Sequence, residues 1–376
     1  MLEVWLTVCV LILASYILLI GMLSIGVKNM EVFQPVEFEE IKAFSIVVAF
    51  RDECENLPAL LESISKLNYP KAAFELILVN DFSSDTSVSI VQHFIENHPE
   101  ICIQLLNNDL ETLSPKKQAI KKAVNYARYE WILTTDADCV LKKNHLKVLN
   151  SFLVQNSCTM VAMPVIFKTD NSLLDQFQQF DLLSLMGATQ GSFQWRVPIL
   201  CNGANLCFNK KNFVEVNGYE GNDNIASGDD IFLMEKFLAL DNRTVSYLKS
   251  EAVIVFTQAQ NSLKSFVQQR IRWAAKTTAL KKTTAKFIGL TVFVTNLLLC
   301  VVLFLPSISV KIVLGSWLLK MTIDYILLKQ VSKFYKYPIK LPLYVLFSFV
   351  YPFYVSFIAF LSLKTGYVWK GRYFLR

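Results

Sequence analysis

The chain has 376 residues, 53% of them hydrophobic, and a mean hydropathy of +0.38, more apolar than an ordinary soluble domain. Its net charge of +6 is modest for this length, and the basic residues gather beside apolar runs, as suits anionic headgroups. With no aromatic-basic motif to read bases, a nucleic-acid partner is excluded and a membrane partner is expected.

From Val4 to Val27 no charge interrupts about 24 residues, against the roughly 20 needed to cross a bilayer. No basic n-region precedes this run and no small-x-small site ends it, so residues 1–28 read as an uncleaved anchor rather than a signal peptide. Residues 43–257 then read as one α/β domain. Strands are expected at 44–50, 74–79, 101–106 and 131–135, the first a continuous apolar run. Helices are expected at 57–67, 88–94 and 116–129, with Pro58 tolerated in a first turn and Ser83, Ser84 and Asp85 forming a turn and N-cap. Strands alternating with helices predict a mostly parallel sheet.

Polar residues collect where these strands end. Asp81 follows the second strand; Asp136 and Asp138 follow the fourth, two residues apart and so on one side of an extended segment. Such a pair suits a hard divalent cation shared with substrate phosphates, at the strand ends where open α/β sheets bind ligands. An Asp-rich turn is the simpler reading of Asp-x-Asp alone. Convergence of Asp81 on the same sheet edge favours the ligand site.

Further along, the 173–188 segment reads as core, with an interfacial helix near an acceptor as the alternative. Residues 258–286 form an amphipathic interfacial segment. Apolar runs follow at 287–310, 312–328 and 341–363, about three spans within residues 287–363, the second carrying Lys320 and Asp324 at a spacing that lets them pair. Pro352 is expected to kink the third. Residues 364–376 form a basic tail. Glu3 before the first span and Lys276, Lys281, Lys282 and Lys286 before the second place the central domain in the cytoplasm. Lys329, Lys333, Lys336 and Lys340, and the tail with Lys364, Lys370, Arg372 and Arg376, claim the same side. One span between them cannot satisfy both, so either 341–363 is re-entrant at Pro352 or the tail lies outside. The eight cysteines are scattered, with no metal spacing, and fit reduced thiols; His93, His98 and His145 read as surface residues.

Six ordered motifs then carry a resemblance: Phe50-Arg51-Asp52-Glu53 with Asn56; Val79-Asn80-Asp81 with Ser83, Ser84 and Asp85; Lys116 before Ala119; Asp136-Ala137-Asp138; Gly228-Asp229-Asp230 with Leu233; and Gln269-Arg270-Ile271-Arg272-Trp273. Together, flanked by spans, they resemble the membrane-bound family 2 glycosyltransferases of the GT-A fold, which include synthases of cellulose, hyaluronan and poly-N-acetylglucosamine and relatives of ceramide glucosyltransferase. The resemblance implies that Asp81 accepts from the nucleotide base, usually uracil, and that Arg51, Glu53 and Lys116 lie near the nucleotide and diphosphate. It implies that Asp138 ligates Mg²⁺ or Mn²⁺, with Asp136 holding ribose or assisting the metal. Asp230 is implied as general base; the family pattern is Glu-Asp where this chain has Asp229-Asp230, so Asp229 is the fallback. Gln269, Arg272 and Trp273 would close the site, and Asn202, Gly203, Ala204 and Asn205 resemble the acceptor-side loop or make a tight turn.

The expected function is inverting transfer of a sugar from a nucleotide-diphosphate sugar, a UDP-sugar by the resemblance, to a membrane-associated acceptor. About four spans are thin material for a polymer channel, which favours a lipid or lipid-linked glycan. The catalytic subunit of a processive polysaccharide synthase, working with a partner subunit, is the alternative; a non-catalytic scaffold and a transporter are lesser ones. The expected location is a bacterial inner membrane.

Overall fold

The structure, a computed structural model, describes residues 2–37, 39–109, 112–168, 172–306 and 308–374. Arg376 of the basic tail and position 307 of the 287–310 apolar run lie outside the described residues. In chain order the elements are α1 (Leu2–Asn29), β1 (Phe44–Phe50), α2 (Leu57–Ser65), β2 (Phe74–Asn80), α3 (Ser87–Asn97), β3 (Cys102–Asn107), α4 (Pro115–Tyr126), β4 (Trp131–Asp136), α5 (His145–Gln155), β5 (Met160–Ala162), β6 (Val165–Lys168) and α6 (Leu173–Gln194). They continue with β7 (Leu206–Asn209), α7 (Lys210–Glu215), α8 (Asp229–Leu240), β8 (Val245–Tyr247), β9 (Val255–Gln258), α9 (Leu263–Ala275), α10 (Thr283–Val302), α11 (Val310–Tyr335), α12 (Leu341–Lys364), β10 (Tyr367–Trp369) and β11 (Arg372–Phe374).

Seven strands form one sheet in the order β3-β2-β1-β4-β7-β5-β8. β3, β2, β1 and β4 are mutually parallel, and β7 runs antiparallel to both β4 and β5. β1, β2 and β4 are buried on both faces, which is why they read as largely apolar runs, while the edge strand β3 is only half-buried; Phe44, Ile46 and Val48 face one layer and Val47 and Ile77 the other. In register, Phe50 pairs with Asn80 and Ala49 with Asp136. The chain segments leaving β1, β2 and β4 therefore meet at one sheet edge, which positions the site.

Two details depart from the sequence reading. The N-cap of α3 is Thr86, while the Asp85 carboxylate accepts from the Ser87 and Cys54 amides at 2.9 and 3.0 Å and so ties the β1 and β2 turns together. His145 is fully buried rather than at the surface, because it opens α5 where that helix packs on the sheet layer. Neither ring nitrogen has a hydrogen-bond partner, and burial holds its pKa down at about 3.

Among the described residues, three helices are long and apolar enough to cross a membrane: Trp5–Asn29, Thr283–Val302 and Leu341–Lys364. Against α1, the α6 backbone approaches so closely that a Cβ on Gly191 would meet the Leu23 carbonyl oxygen at 2.5 Å, and one on Gly26 the Gly191 oxygen at 2.6 Å. Tyr16 of α1 and Lys320 of α11 both bond Asp324, at 2.7 and 2.6 Å, so the expected Lys320–Asp324 pair forms on one face of α11. α12 continues through Pro352 as a single 24-residue helix, without the re-entrant break. Lys336 before it pairs with Glu251, and Arg372 after it pairs with Asp81. Both flanks of α12 thus touch the sheet domain, so the tail lies on that domain's side. Tyr344, Phe347 and Ile358 of α12 are buried against the protein. Phe349, Phe353, Phe357 and Phe360 form the opposite, exposed apolar face.

Candidate active site

One cavity of about 1730 Å³ is lined by Arg51, Glu53, Asp81, Lys116, Asp136, Asp138, Asn202, Gly203, Asp229, Asp230, Gln269, Arg272 and Trp273. Asn205 does not line it. Its amide nitrogen turns into the core and donates to the Pro164 and Val253 carbonyls at 2.8 and 2.7 Å, while Asn202 receives the Ala204 amide at 3.1 Å. The Asn202 to Asn205 stretch is therefore a tight turn whose first three residues line the cavity.

At one end of the cavity, Asp81 is almost wholly buried. Its Oδ1 accepts from Asn108 and its Oδ2 from Arg372, both at 2.7 Å. The Arg51 guanidinium donates to the Asp81 carbonyl at 3.1 Å. Glu53 accepts from Asn56 at 2.7 Å and pairs with Lys370 at 2.5 Å.

The centre is a charge relay across three elements. The Lys116 ammonium, in the first turn of α4, bridges Asp136 at 2.6 Å and Asp229 at 3.1 Å. Burial alone lowers its pKa, but Asp136, Asp229 and Asp230 outweigh this and hold it well above the ordinary lysine range. Gly203 fits because a Cβ there would lie 2.8 Å from Asp229 Oδ2. Asp230 stands in the first turn of α8, after Gly228 at φ +82. It accepts from the Gly203 amide at 3.3 Å, its neighbour Ile231 at 2.7 Å and Lys276 at 3.3 Å. Burial opposes ionisation of Asp230, yet Lys276, the Ile231 amide and Lys116 prevail and keep its pKa low. These neighbours favour its carboxylate form.

Asp138 differs. It accepts from Thr257 at 3.1 Å, and burial, followed by the charges of Asp136 and Glu53, pushes its pKa up to about 6. A buried carboxylate facing two others calls for positive charge. Among the described residues no group of three or more His, Cys, Asp or Glu gathers as a metal cage. Mg²⁺ or Mn²⁺, which take one or two carboxylates and complete their shells with phosphate oxygens and water, would supply that charge. Asp138 and Asp136 fit the ion.

Below this lies the Gln269 to Trp273 box on α9. Arg270, between the box residues, is 4% exposed and pairs with Asp181 of α6 at 2.6 Å. Asp181 also receives the hydroxyls of Tyr351 and Tyr354 from α12, at 3.2 and 3.3 Å. The Arg270 guanidinium lies 4.1 Å from the Trp273 ring centre, covering one face, and Arg272 lies 5.2 Å from that of Trp369. From here the cavity continues between α6, α10 and α12, where Leu182, Met186, Ile288, Val292, Val355 and Ile358 line it.

The family profile of glycosyl transferase family 21 matches residues 9–375, nearly the whole chain. The chain belongs to glycosyl transferase family 21. The resemblance to membrane-bound glycosyltransferases, read from the motifs, is thereby borne out. Among curated relatives of this family 21 member is the poly-beta-1,6-N-acetyl-D-glucosamine synthase of Staphylococcus epidermidis, 25% identical over 239 residues, 63% of this chain and 55% of the synthase. The enzyme of the same name from Staphylococcus aureus is 24% identical over 241 residues, 64% of this chain and 55% of that one. The chain spans about half the length of these curated relatives. Among solved structures, the mannosyltransferase PcManGT of Pyrobaculum calidifontis, in complex with GDP-Man and Mn²⁺, superposes with a TM-score of 0.57 at 13% identity, covering 95% of this chain and 98% of that one. The shared fold is GT-A, as expected: a mostly parallel sheet domain joined to apolar helices. The family 21 chain is a glycosyltransferase.

Asn108 and Asp181 enter this site without a place in the sequence reading, and Arg270, Lys276, Lys370 and Arg372, read there only as members of a motif or of basic runs, gain specific partners in it. Asn108 follows β3 at the same sheet edge as Asp81, a signal that was readable. Lys276 was legible only as part of a basic run beside a membrane.

Proposed function

We propose that this family 21 transferase moves a sugar from a UDP-sugar to a lipid or lipid-linked acceptor, with inversion, at the cytoplasmic face of a bacterial inner membrane. The observation that carries the reading is continuity. One cavity joins the Asp136, Asp138 and Asp230 cluster to an apolar passage between α6, α10 and α12. An acceptor with a hydroxyl head and an apolar tail fits both halves, and burial of tail methylenes would contribute roughly 0.8 kcal/mol each.

In this reading Asp81 takes the base N–H and Arg51 and Lys116 lie along the diphosphate. Asp138, with Asp136, would hold Mg²⁺ or Mn²⁺, which offsets charge on the departing diphosphate. Asp230 removes the acceptor hydroxyl proton as the oxygen bonds to the anomeric carbon and the bond to the diphosphate oxygen breaks. Lys276 then stabilises Asp230 in its charged form before transfer, and Lys116 couples the position of Asp229 to Asp136. Glu53 sits at the edge of the donor region, and Gln269, Arg272 and Trp273 close the cavity where its polar and apolar parts join.

The names of the curated relatives favour a second reading, in which the chain extends a polysaccharide with a partner subunit. Purified protein in lipid discs, given radiolabelled UDP- and GDP-sugars and total membrane lipid, separates the two. Label from a UDP-sugar extracting into organic solvent is the expected result; a large water-soluble polymer would instead support the second reading.

A further inference from the structure

We propose that Lys117, the neighbour of Lys116 in α4, is a positioning residue for Asp230: it clamps the loop that leads into α8 and so sets where the Asp230 carboxylate stands. The inference rests on the reading of Asp230 as the base. Consecutive helical side chains point about 100° apart, so one turn of α4 grips two places. Lys116 reaches Asp136 and Asp229. Lys117 is 1% exposed, and its ammonium donates to the Asn222 and Ile225 carbonyls, both at 2.8 Å. Ser114, just before the same helix, donates to the Asp223 carbonyl at 2.5 Å. The start of α4 thus holds the 222–225 stretch at three of its carbonyls.

The loop depends on such a hold. Residues 216–228, between α7 and α8, belong to no helix or strand. Lys236 takes the Val216, Gly218 and Glu220 carbonyls at 3.1, 2.7 and 2.8 Å. Lys236 belongs to α8, so those bonds tie the loop only to the helix it precedes. Lys117 and Ser114 tie it to the sheet layer through α4. The bend into α8 is made at Gly228, φ +82, where a Cβ would meet the Phe232 ring at 2.6 Å. The Lys117 ammonium lies 4.9 Å from the centre of that same ring. Loop and bend therefore close around one ammonium, and Asp230 stands two residues after the bend. Burial pulls the Lys117 pKa down to about 8, while the charges of Asp229, Asp223 and Asp230 act against this. Without the ammonium the Asn222 and Ile225 carbonyls lose a charged donor and the loop can shift. A reacting group displaced by about 1 Å loses on the order of a hundredfold in rate.

The test is a double-substitution cycle on the full chain in lipid discs. Calorimetry with Mn²⁺ reads UDP affinity, and radiolabelled UDP-sugars with total membrane lipid read transfer. Lys117→Met is expected to lower kcat about 10- to 100-fold and to leave UDP affinity unchanged. In the Asp230→Asn background the same substitution should cost less than about twofold, because residues acting through one another are not additive. Ser114→Ala, a milder release of the same loop, should show the same pattern at smaller size, and it carries the test where Lys117→Met does not fold. Unchanged kcat in folded Lys117→Met, UDP affinity lost in step with kcat, or the same fold-loss in both backgrounds would overturn the proposal while leaving Asp230 as base. Full activity in Asp230→Asn alone would overturn the base reading, and this inference with it.

Discussion

Asp230→Asn is expected to lower kcat for sugar transfer by about 10²–10⁴-fold, the range for loss of a positioned base, with little change in donor KM. The substitution keeps shape and keeps an oxygen for the Ile231 amide, so the fold should survive. It removes the charge that Lys276 and Lys116 stabilise. Asp229 is the comparison. Its carboxylate is engaged by Lys116 at 3.1 Å, on the Asp136 side, so Asp229→Asn should act mainly on donor KM. Steady-state kinetics on the two variants checks this. Full activity in Asp230→Asn would remove Asp230 as base, and a large kcat loss confined to Asp229→Asn would move the role there.

The second large effect is expected at Arg270. Replacing it with Met leaves Asp181 buried and charged beside two tyrosine hydroxyls, and losing one partner of a buried ion pair costs about 3–5 kcal/mol. Activity should fall as well, because Arg270 stacks on Trp273 and holds α9 to α6 and α12. Removing both charges, as Asp181→Leu with Arg270→Met, should restore much of the stability, since an apolar pair of similar volume is often neutral or better. Thermal unfolding in one detergent measures both. A single variant as stable as the intact chain would contradict the account of this bridge.

The legible and illegible parts of the chain divide along physical lines. β1, β2 and β4 are buried on both faces, so their apolar runs stand out, and the ends of all four parallel strands, the half-buried edge strand β3 included, were found within a residue. β5, β7 and β8 have three or four residues, too few for a period, and nothing local states that β7 runs antiparallel. Asp81, Asp136 and Asp138 were readable because they close or follow strands, Lys116, Asp229 and Asp230 because they open helices, and Gln269, Arg272 and Trp273 because their spacing makes a box within α9. Arg270 was in view inside the box, but its partner Asp181 lies 89 residues earlier on α6, and no spacing signals that pairing. The tail misled for a different reason. Lys370 and Arg372 are charged and lie beside an apolar helix, which reads as membrane anchoring. Yet Tyr367, Trp369 and Phe374 beside a Lys-Gly pair carry the alternation of a hairpin. Arg372 meets Asp81 across 291 positions, a contact only the fold supplies. His145 was misplaced because a lone histidine carries no local mark of burial.

The central claim is that the strand-end carboxylates hold the diphosphate of a nucleotide sugar through a divalent ion. Anomalous scattering from Mn²⁺ in crystals of the chain with UDP tests it most directly. The account predicts a peak against the Asp138 carboxylate, shared with diphosphate oxygens, with the uracil at Asp81. A peak elsewhere, or UDP ordered away from Asp81 with no ion at Asp138, would contradict it.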